Sequence, residues 1–262
     1  MSDIDGIDSI VCVAKLVGAL MLENGGETSR AETAVYKICS AYDIDNVDVF
    51  AIPTGLFITA EKNGEERQTV VKRINKRTVD LTKLDAANSI SRNVSEKKMT
   101  LTDARICLER LTKSSKNKRD RILIPIYTGI STAFFTVLFG GNIFDFLISF
   151  ICGSAVQYIA MSFRRTNIFH FAISLIGGAI VALTAVLFNN LICDVNIDKI
   201  IIGSIMPLLP GLAMTKAIKD AMVGDLVSGG ARFMEVVLVA VALAAGAGIV
   251  LGLTNILGWS II

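Results

Sequence analysis

The sequence predicts a membrane α-helical bundle of five transmembrane helices, one of them broken by Pro and Gly, preceded by a small α+β cytosolic domain. Three observations carry this expectation. Charge is uneven: 20 Lys/Arg and 18 Asp/Glu fall in residues 1–121, against 12 charged side chains in 122–262. Several uncharged runs in the second segment are long enough to cross a bilayer, which excludes a wholly soluble chain. Between residues 47 and 74 the hydrophobic period changes from helical to two, the mark of strands. The expected domains are therefore 1–121 and 122–262. A hydrophobic fraction of 52% excludes disorder. The five cysteines have no CxxC spacing and read as small buried hydrophobes in a reducing compartment, neither metal ligands nor a redox pair.

The chain opens with Asp3, Asp5 and Asp8, so no cleaved targeting segment is expected. The apolar stretch from Ile10 to Leu22 contains Lys15 and falls short of the roughly 17 residues a span needs, so it reads as a core helix. Ile7, Ile10, Val11, Ala14, Val17 and Met21 form its buried stripe, and Gly25-Gly26 its stop. Ser29 and Glu32 have capping-box spacing, which predicts a second helix burying Ala31, Val35, Ile38 and Tyr42. Strands follow at Val47–Ile52, Leu56–Glu61 and near Gln68–Ile74, turned at Pro53-Thr54-Gly55 and Asn63-Gly64. Helical periodicity returns over Leu81–Val94 and again from Leu101, after the candidate cap Thr100. No His precedes His170, and no P-loop or G-x-S-x-G is present, so this domain shows no catalytic set and the chain is not expected to be an enzyme. Lys72, Arg73, Lys76 and Arg77 lack aromatic interleaving and read as a solvated strand end, with no nucleic-acid partner.

The expected spans are Ile122–Phe144, Phe146–Phe163, Thr166–Cys193, Val236–Ile262 and a short fourth, Ile200–Thr215, interrupted by Pro207 and Pro210-Gly211. Lys113, Lys116, Lys118, Arg119, Arg121, Arg164, Arg165, Lys216, Lys219 and Arg232 fall on one side of these spans. Lys199, with Asp145, Asp194 and Asp198, falls on the other. The positive-inside rule then places the N-terminal domain in the cytoplasm and the C-terminus, with Trp259, outside. Small residues at four-residue spacing, Ser174/Gly178/Ala182 and Ala244/Gly248/Gly252, predict close helix packing within the bundle or against another subunit. Among polar groups in or near the spans, His170 is a candidate proton relay, and Gln157, Asn142, Asn189 and Asn190 are candidates to line a path.

The segment from Pro207 to Arg232 joins the broken span to an amphipathic piece with Asp220, Asp225, Ser228, Gly229-Gly230 and Arg232. A Pro/Gly-interrupted span beside acidic and hydroxyl groups is where transporters coordinate substrate and coupling ion. The same residues also fit a cytoplasmic loop below a proline kink. If the segment folds back on the bundle, desolvation is expected to raise the pKa of Asp225.

Glu23–Glu32 (ENGGETSRAE), Pro53–Phe57 (PTGLF) and Pro210–Arg232 (PGLAMTKAIKDAMVGDLVSGGAR) resemble, in this order, motifs of the threonine/serine exporter family. The resemblance runs over nearly the whole chain and implies proton-driven export of threonine and serine across the bacterial cytoplasmic membrane, with no cofactor and no metal. Single-chain members have ten spans, and this chain matches their N-terminal half. It is similar to the large subunit of two-component members, which implies an oligomer with a small five-span membrane subunit. Such pairs are linked to succinate, so a dicarboxylate stands beside a small amino acid as the polar metabolite exported. A membrane-anchored metabolite sensor is the reading from another class. By position, the resemblance assigns Pro210, Gly211, Thr215, Asp220, Asp225, Gly229 and Arg232 to the path, to which Pro207 and Ser228 are added from the break and the motif.

Overall fold

The computed structural model describes residues 6–44, 46–62, 64, 66–114, 120–163, 170–191 and 194–257. The chain divides into two compact units, Met1–Ser115 with Lys216–Arg232, and Lys116–Thr215 with Phe233–Ile262.

The first unit is built on α1 (Ile7–Glu23), α2 (Thr28–Ala41), β1 (Asn46–Ile52), β2 (Gly55–Lys62), β3 (Glu66–Arg73), α3 (Leu81–Ser95) and α4 (Leu101–Lys113). The strands form an antiparallel sheet in the order β1-β2-β3, with Phe50 opposite Phe57 and Phe57 opposite Val71. Period-two alternation turns Leu56, Ile58 and Ala60 into the core and leaves Phe50, Phe57 and Val71 exposed. Against the inner face lies α1: a Cβ on Gly18 would sit 2.7 Å from the Leu56 side chain. Each fully buried Val, Leu or Ile here contributes roughly 1.5–3 kcal/mol relative to exposure. Thr100 caps α4 by accepting from the Asp103 N–H at 3.1 Å, and Asp80 caps α3 by accepting from Lys83 N–H at 3.2 Å.

The capping box expected at Ser29 and Glu32 does not form. Helix α2 begins two residues earlier than a Ser29 cap would set it, at Thr28, with Glu27 in the cap position and no side-chain cap. Glu32 instead reaches the sheet and accepts from the Ala51 N–H at 2.8 Å. An outward-pointing N–H on a strand edge is a stronger demand than a helix N–H that can find water.

The second unit contains α5 (Asp120–Leu138), α6 (Ile143–Phe163), α7 (His170–Leu191), α8 (Ile197–Ile205) and a single 3-10 turn at Met206–Leu208. Two further helices run across the division, α9 (Gly211–Met222) and α10 (Leu226–Ile256). Among the described residues, three helices, α6, α7 and α10, are long and apolar enough to cross a membrane. The count is up to four if Ile197–Leu208 and Gly211–Met222, bent by 54° at their break, form one span. The apolar part of α5, Ile122–Leu138, is shorter.

The first expected span runs too far. Its helix ends at Leu138, and the turn lies at Gly140, whose φ of +82° suits glycine, not at Asp145. Asp145 is not a loop charge but is fully buried at the start of α6. It accepts from the N–H of Asn142 (2.9 Å), the N–H of Asn196 (2.8 Å) and Asn196 Nδ2 (2.9 Å). Asn142 and Asn190 are spent on backbone carbonyls, those of Asp194 and Val186. The last helix starts ten residues before the expected Val236 and takes Arg232 and Glu235 into its turns.

Only part of the small-residue pattern packs. A Cβ on Gly178 of α7 would lie 2.1 Å from the Leu243 carbonyl oxygen, and one on Gly246 would lie 2.0 Å from that of Leu175. Those two glycines let the α7 and α10 backbones touch. Ala244, Gly248 and Gly252 are exposed, and neither of these glycines has an atom within 4 Å of a would-be Cβ. Arg164, Arg165, Cys193 and Trp259, and the side chain of His170, lie outside the described residues.

Candidate functional site

Within the first unit, the end of α1 and the start of α2 meet the segment 216–232. At the end of α1, Gly25 has φ of +87° and the Gly26 N–H bonds back to the Met21 carbonyl at 2.7 Å. This glycine stop turns the Gly25 and Gly26 carbonyls outward. Lys216 Nζ donates to the first, and Arg232 Nη2 donates to the second at 3.2 Å. Glu27 receives Lys219 Nζ on both carboxylate oxygens at 2.9 Å, and Thr28 Oγ1 donates to Asp225 Oδ2 at 3.0 Å.

The 216–232 segment is itself a tight helical hairpin. Gly224, with φ of +94°, closes α9. Asp225 then caps α10 by accepting from the Ser228 N–H at 3.1 Å. Gly229 permits close approach, since a Cβ there would lie 2.9 Å from the Ala217 carbonyl oxygen. Across this contact, Arg232 Nε and Asp220 Oδ2 form an ion pair at 2.9 Å, with side chains 10% and 4% exposed. Such a pair, withdrawn from water, costs desolvation of both ions and holds only while both partners remain.

At about 1.5 Å per residue, α10 would measure about 46 Å, longer than a hydrocarbon core of about 30 Å. Its first turns group with the N-terminal unit, as does α9 from Lys216 onward, and the charged side chains Lys216, Lys219, Asp220, Asp225 and Arg232 set 216–232 apart from the uncharged stretches of the two helices. The carboxyls there are tuned in opposite directions. Burial pushes Asp220 above the ordinary carboxylate range, against the pull of Arg232 and with the help of the Asp225 charge. Burial also pushes Asp225 up, but hydrogen bonds from Ser228 and Thr28 and the charge of Arg232 outweigh it, and its carboxyl titrates below the usual value. The rise expected for Asp225 is therefore corrected: it belongs to Asp220. Glu27 is lowered, chiefly by the Lys219 hydrogen bond, while burial and then the charge of Arg232 lower Lys216.

The structure thus gathers Asp220, Asp225, Ser228, Gly229 and Arg232 with Glu27, Thr28 and the Gly25 and Gly26 carbonyls. Pro207, Pro210, Gly211 and Thr215 belong to the other unit. Pro207 sits in the 3-10 turn, the Pro210 carbonyl accepts from the Met214 N–H at the start of α9, and Thr215 is exposed and bonds the Leu212 carbonyl. Sequence reasoning missed the roles of Glu27, Thr28, Lys216 and Lys219. The one available signal was complementary charge in two motifs about 190 residues apart. Among the described residues, no group of three or more His, Cys, Asp or Glu converges to hold a metal ion.

Chemically, the cluster offers one carboxylate held ionised, one with raised proton affinity, and cations fastened to backbone carbonyls. Searches of curated proteins and of solved structures give no match. A family model described as "Putative threonine/serine exporter" matches residues 13–254. That match takes in both halves of the cluster and all the long apolar helices, and the chain is a membrane protein of the threonine/serine exporter (ThrE) family.

Proposed function

We propose that this chain is a subunit of a proton-coupled secondary exporter of small amino acids of the threonine/serine kind. It works in the bacterial cytoplasmic membrane, with its N-terminal domain in the cytoplasm and its C-terminus outside. The observation that carries this reading is the Asp220–Arg232 pair, whose carboxyl is raised by burial and lies near the end of the second helix of a Pro/Gly-broken pair. A buried carboxyl that can take a proton beside a cation that must then find another partner is a workable coupling element. In this reading α5, whose 17 apolar residues span about 26 Å, and the bent pair, taken as one span with its charged end from Lys216 onward set apart, join α6, α7 and α10 to make five spans. Half of an inverted-repeat transporter leaves its path open, so the chain is completed by a small five-span subunit and works as an oligomer.

The test is efflux of preloaded L-threonine, L-serine or succinate from proteoliposomes under an imposed proton gradient, with and without a co-reconstituted five-span subunit. Gradient-dependent threonine or serine efflux that needs both chains and is lost in Asp220→Asn is expected. Efflux of succinate alone would move the substrate class, and full flux from this chain by itself would remove the subunit reading. Labelling of Arg30→Cys in intact cells by an impermeant thiol reagent, with none of Ile262→Cys, would overturn the orientation.

A further inference from the structure

Among the described residues, the sheet of the N-terminal unit has an edge at β1, which pairs only with β2. Alongside this edge runs α2, and between them lies a groove of about 440 Å³ lined by Glu32, Tyr36 and Lys37 of the helix and Val47, Asp48 and Val49 of the strand. That volume lies within the range of small-molecule sites, roughly 300–1,000 Å³. The Glu32 carboxylate is fixed at the strand edge by the Ala51 N–H. Because Ala51 points its N–H away from β2, strand alternation turns the N–H and C=O of Val49 and Val47 the same way.

We propose that this groove is a regulatory binding site for a free α-amino acid. The groove carries both signs of charge with backbone donors and acceptors between them, which suits a zwitterion. The ligand's ammonium meets Glu32 and Asp48, its carboxylate meets Lys37 and the strand-edge N–H groups, and the Tyr36 ring, 55% exposed, walls the side chain. A dicarboxylate would face Glu32 and Asp48, and a diamine would face Lys37. The ligand class rests on the exporter reading; the groove does not.

Occupancy has a route to the cluster. Glu32 lies one turn along α2 from Thr28 and Glu27, which hold Asp225 and Lys219. The two carboxyls also feel each other: burial raises Glu32 against the Ala51 N–H, and the charge of Asp225 adds to the rise. An ammonium beside Glu32 opposes that repulsion and strengthens the α2 end of the cluster.

The test uses the full chain in nanodiscs, titrated calorimetrically with L-threonine and with L-threoninol, which lacks the carboxylate. Wild type is expected to bind L-threonine saturably, with at least ~10-fold weakening in Glu32→Gln, in Lys37→Glu and for L-threoninol, since each removes one charge-assisted contact. Glu32→Gln keeps an acceptor for Ala51, and if it fails to fold, Lys37→Glu decides alone. In hydrogen exchange, L-threonine is expected to slow amides in 32–51 and in 216–232 of wild type but not of Lys37→Glu. Absence of binding, wild-type affinity in Lys37→Glu, or protection confined to 32–51 overturns the proposal. Loss of binding in Asp220→Asn with retention in both groove variants places the ligand elsewhere and overturns it too. Groove-dependent binding without efflux would instead sink the exporter reading and leave the site standing.

Discussion

Asp145 and Asp220 are both buried carboxylates at helix ends of this chain, and they are held in opposite ways. Around Asp145, three N–H groups from Asn142 and Asn196 converge, which ties the turn after α5 to the start of α8. Asp220 is paired instead with a long-armed cation, Arg232, which also spends a hydrogen bond on the Gly26 carbonyl. The two backbone amides on Asp145 cannot leave without unfolding a turn, whereas a guanidinium can rotate away. The first arrangement is a rivet and the second is a contact that protonation can release. Burial alone therefore does not mark a functional carboxylate; the mobility of its partners does.

The largest effect separating the two is on stability. Asp145→Ala leaves three part-buried donors without their acceptor, and at about 1 kcal/mol each, the low end for a lost partner because water can reach them, the loss is ~3 kcal/mol. Thermal unfolding of the purified protein is expected to drop sharply and to stay low at every pH. An unfolding temperature equal to wild type would show that water replaces the carboxylate and that the rivet is no rivet.

Next comes the pair itself. Arg232→Ala strands a buried Asp220 charge and is expected to cost ~3 kcal/mol, the usual range for breaking such a pair. Adding Asp220→Asn removes that charge, so the double variant should recover most of the stability while remaining dead in gradient-driven efflux. Recovery of efflux along with stability would mean that the pair serves the fold and not transport.

Much of the fold was legible from local pattern, because periodicity and caps are local. The strands, the Thr100 cap and the Gly25-Gly26 stop all rest on a few neighbouring residues. The failures share one physical cause, a partner far away in sequence. Glu32 has capping-box spacing but is claimed by Ala51 of β1. Asp145 ends an uncharged run and so reads as a boundary, although Asn196 draws it inside. The four-residue spacing of small residues on α10 is equally misleading: the Ala244/Gly248/Gly252 stripe is exposed, while Gly246, out of that register, meets Leu175. In the candidate site, Asp220, Asp225 and Arg232 could be picked out by residue type, but which carboxyl is raised depends on Thr28 and Ser228.

That opposite tuning makes the third effect one of pH. Asp220 has a raised pKa in the fold, so its contribution is fully present below the unfolded carboxylate value near 4 and is lost as pH rises through the folded one. Asp225 has a lowered pKa, so its contribution is present above about pH 4 and is lost as pH falls through the folded value. Unfolding temperatures measured from acid to neutral pH should therefore lose a slope on the neutral side of pH ~4 in Asp220→Asn, and one on the acid side in Asp225→Asn. The reverse assignment would return the proton-loading role to Asp225.

The smallest effect tests whether Asp225 is held by its own hairpin or by the N-terminal domain. Thr28→Val keeps the shape of the side chain and removes one hydroxyl donor, at 3.0 Å from Asp225 Oδ2, which in a part-buried setting is worth ~1 kcal/mol. The Ser228 N–H remains on the other oxygen, so the start of α10 should survive. What should change is the linkage: with Thr28 silent, the Asp225 pKa climbs back toward the ordinary value, and the acid-side slope shrinks without vanishing. A double-mutant cycle with Asp225→Asn isolates the term, because the two groups touch each other and each single change removes that contact. A coupling energy near zero would mean that the hairpin carries Asp225 unaided and that the two family motifs meet only through Glu27, Lys216, Lys219 and Arg232.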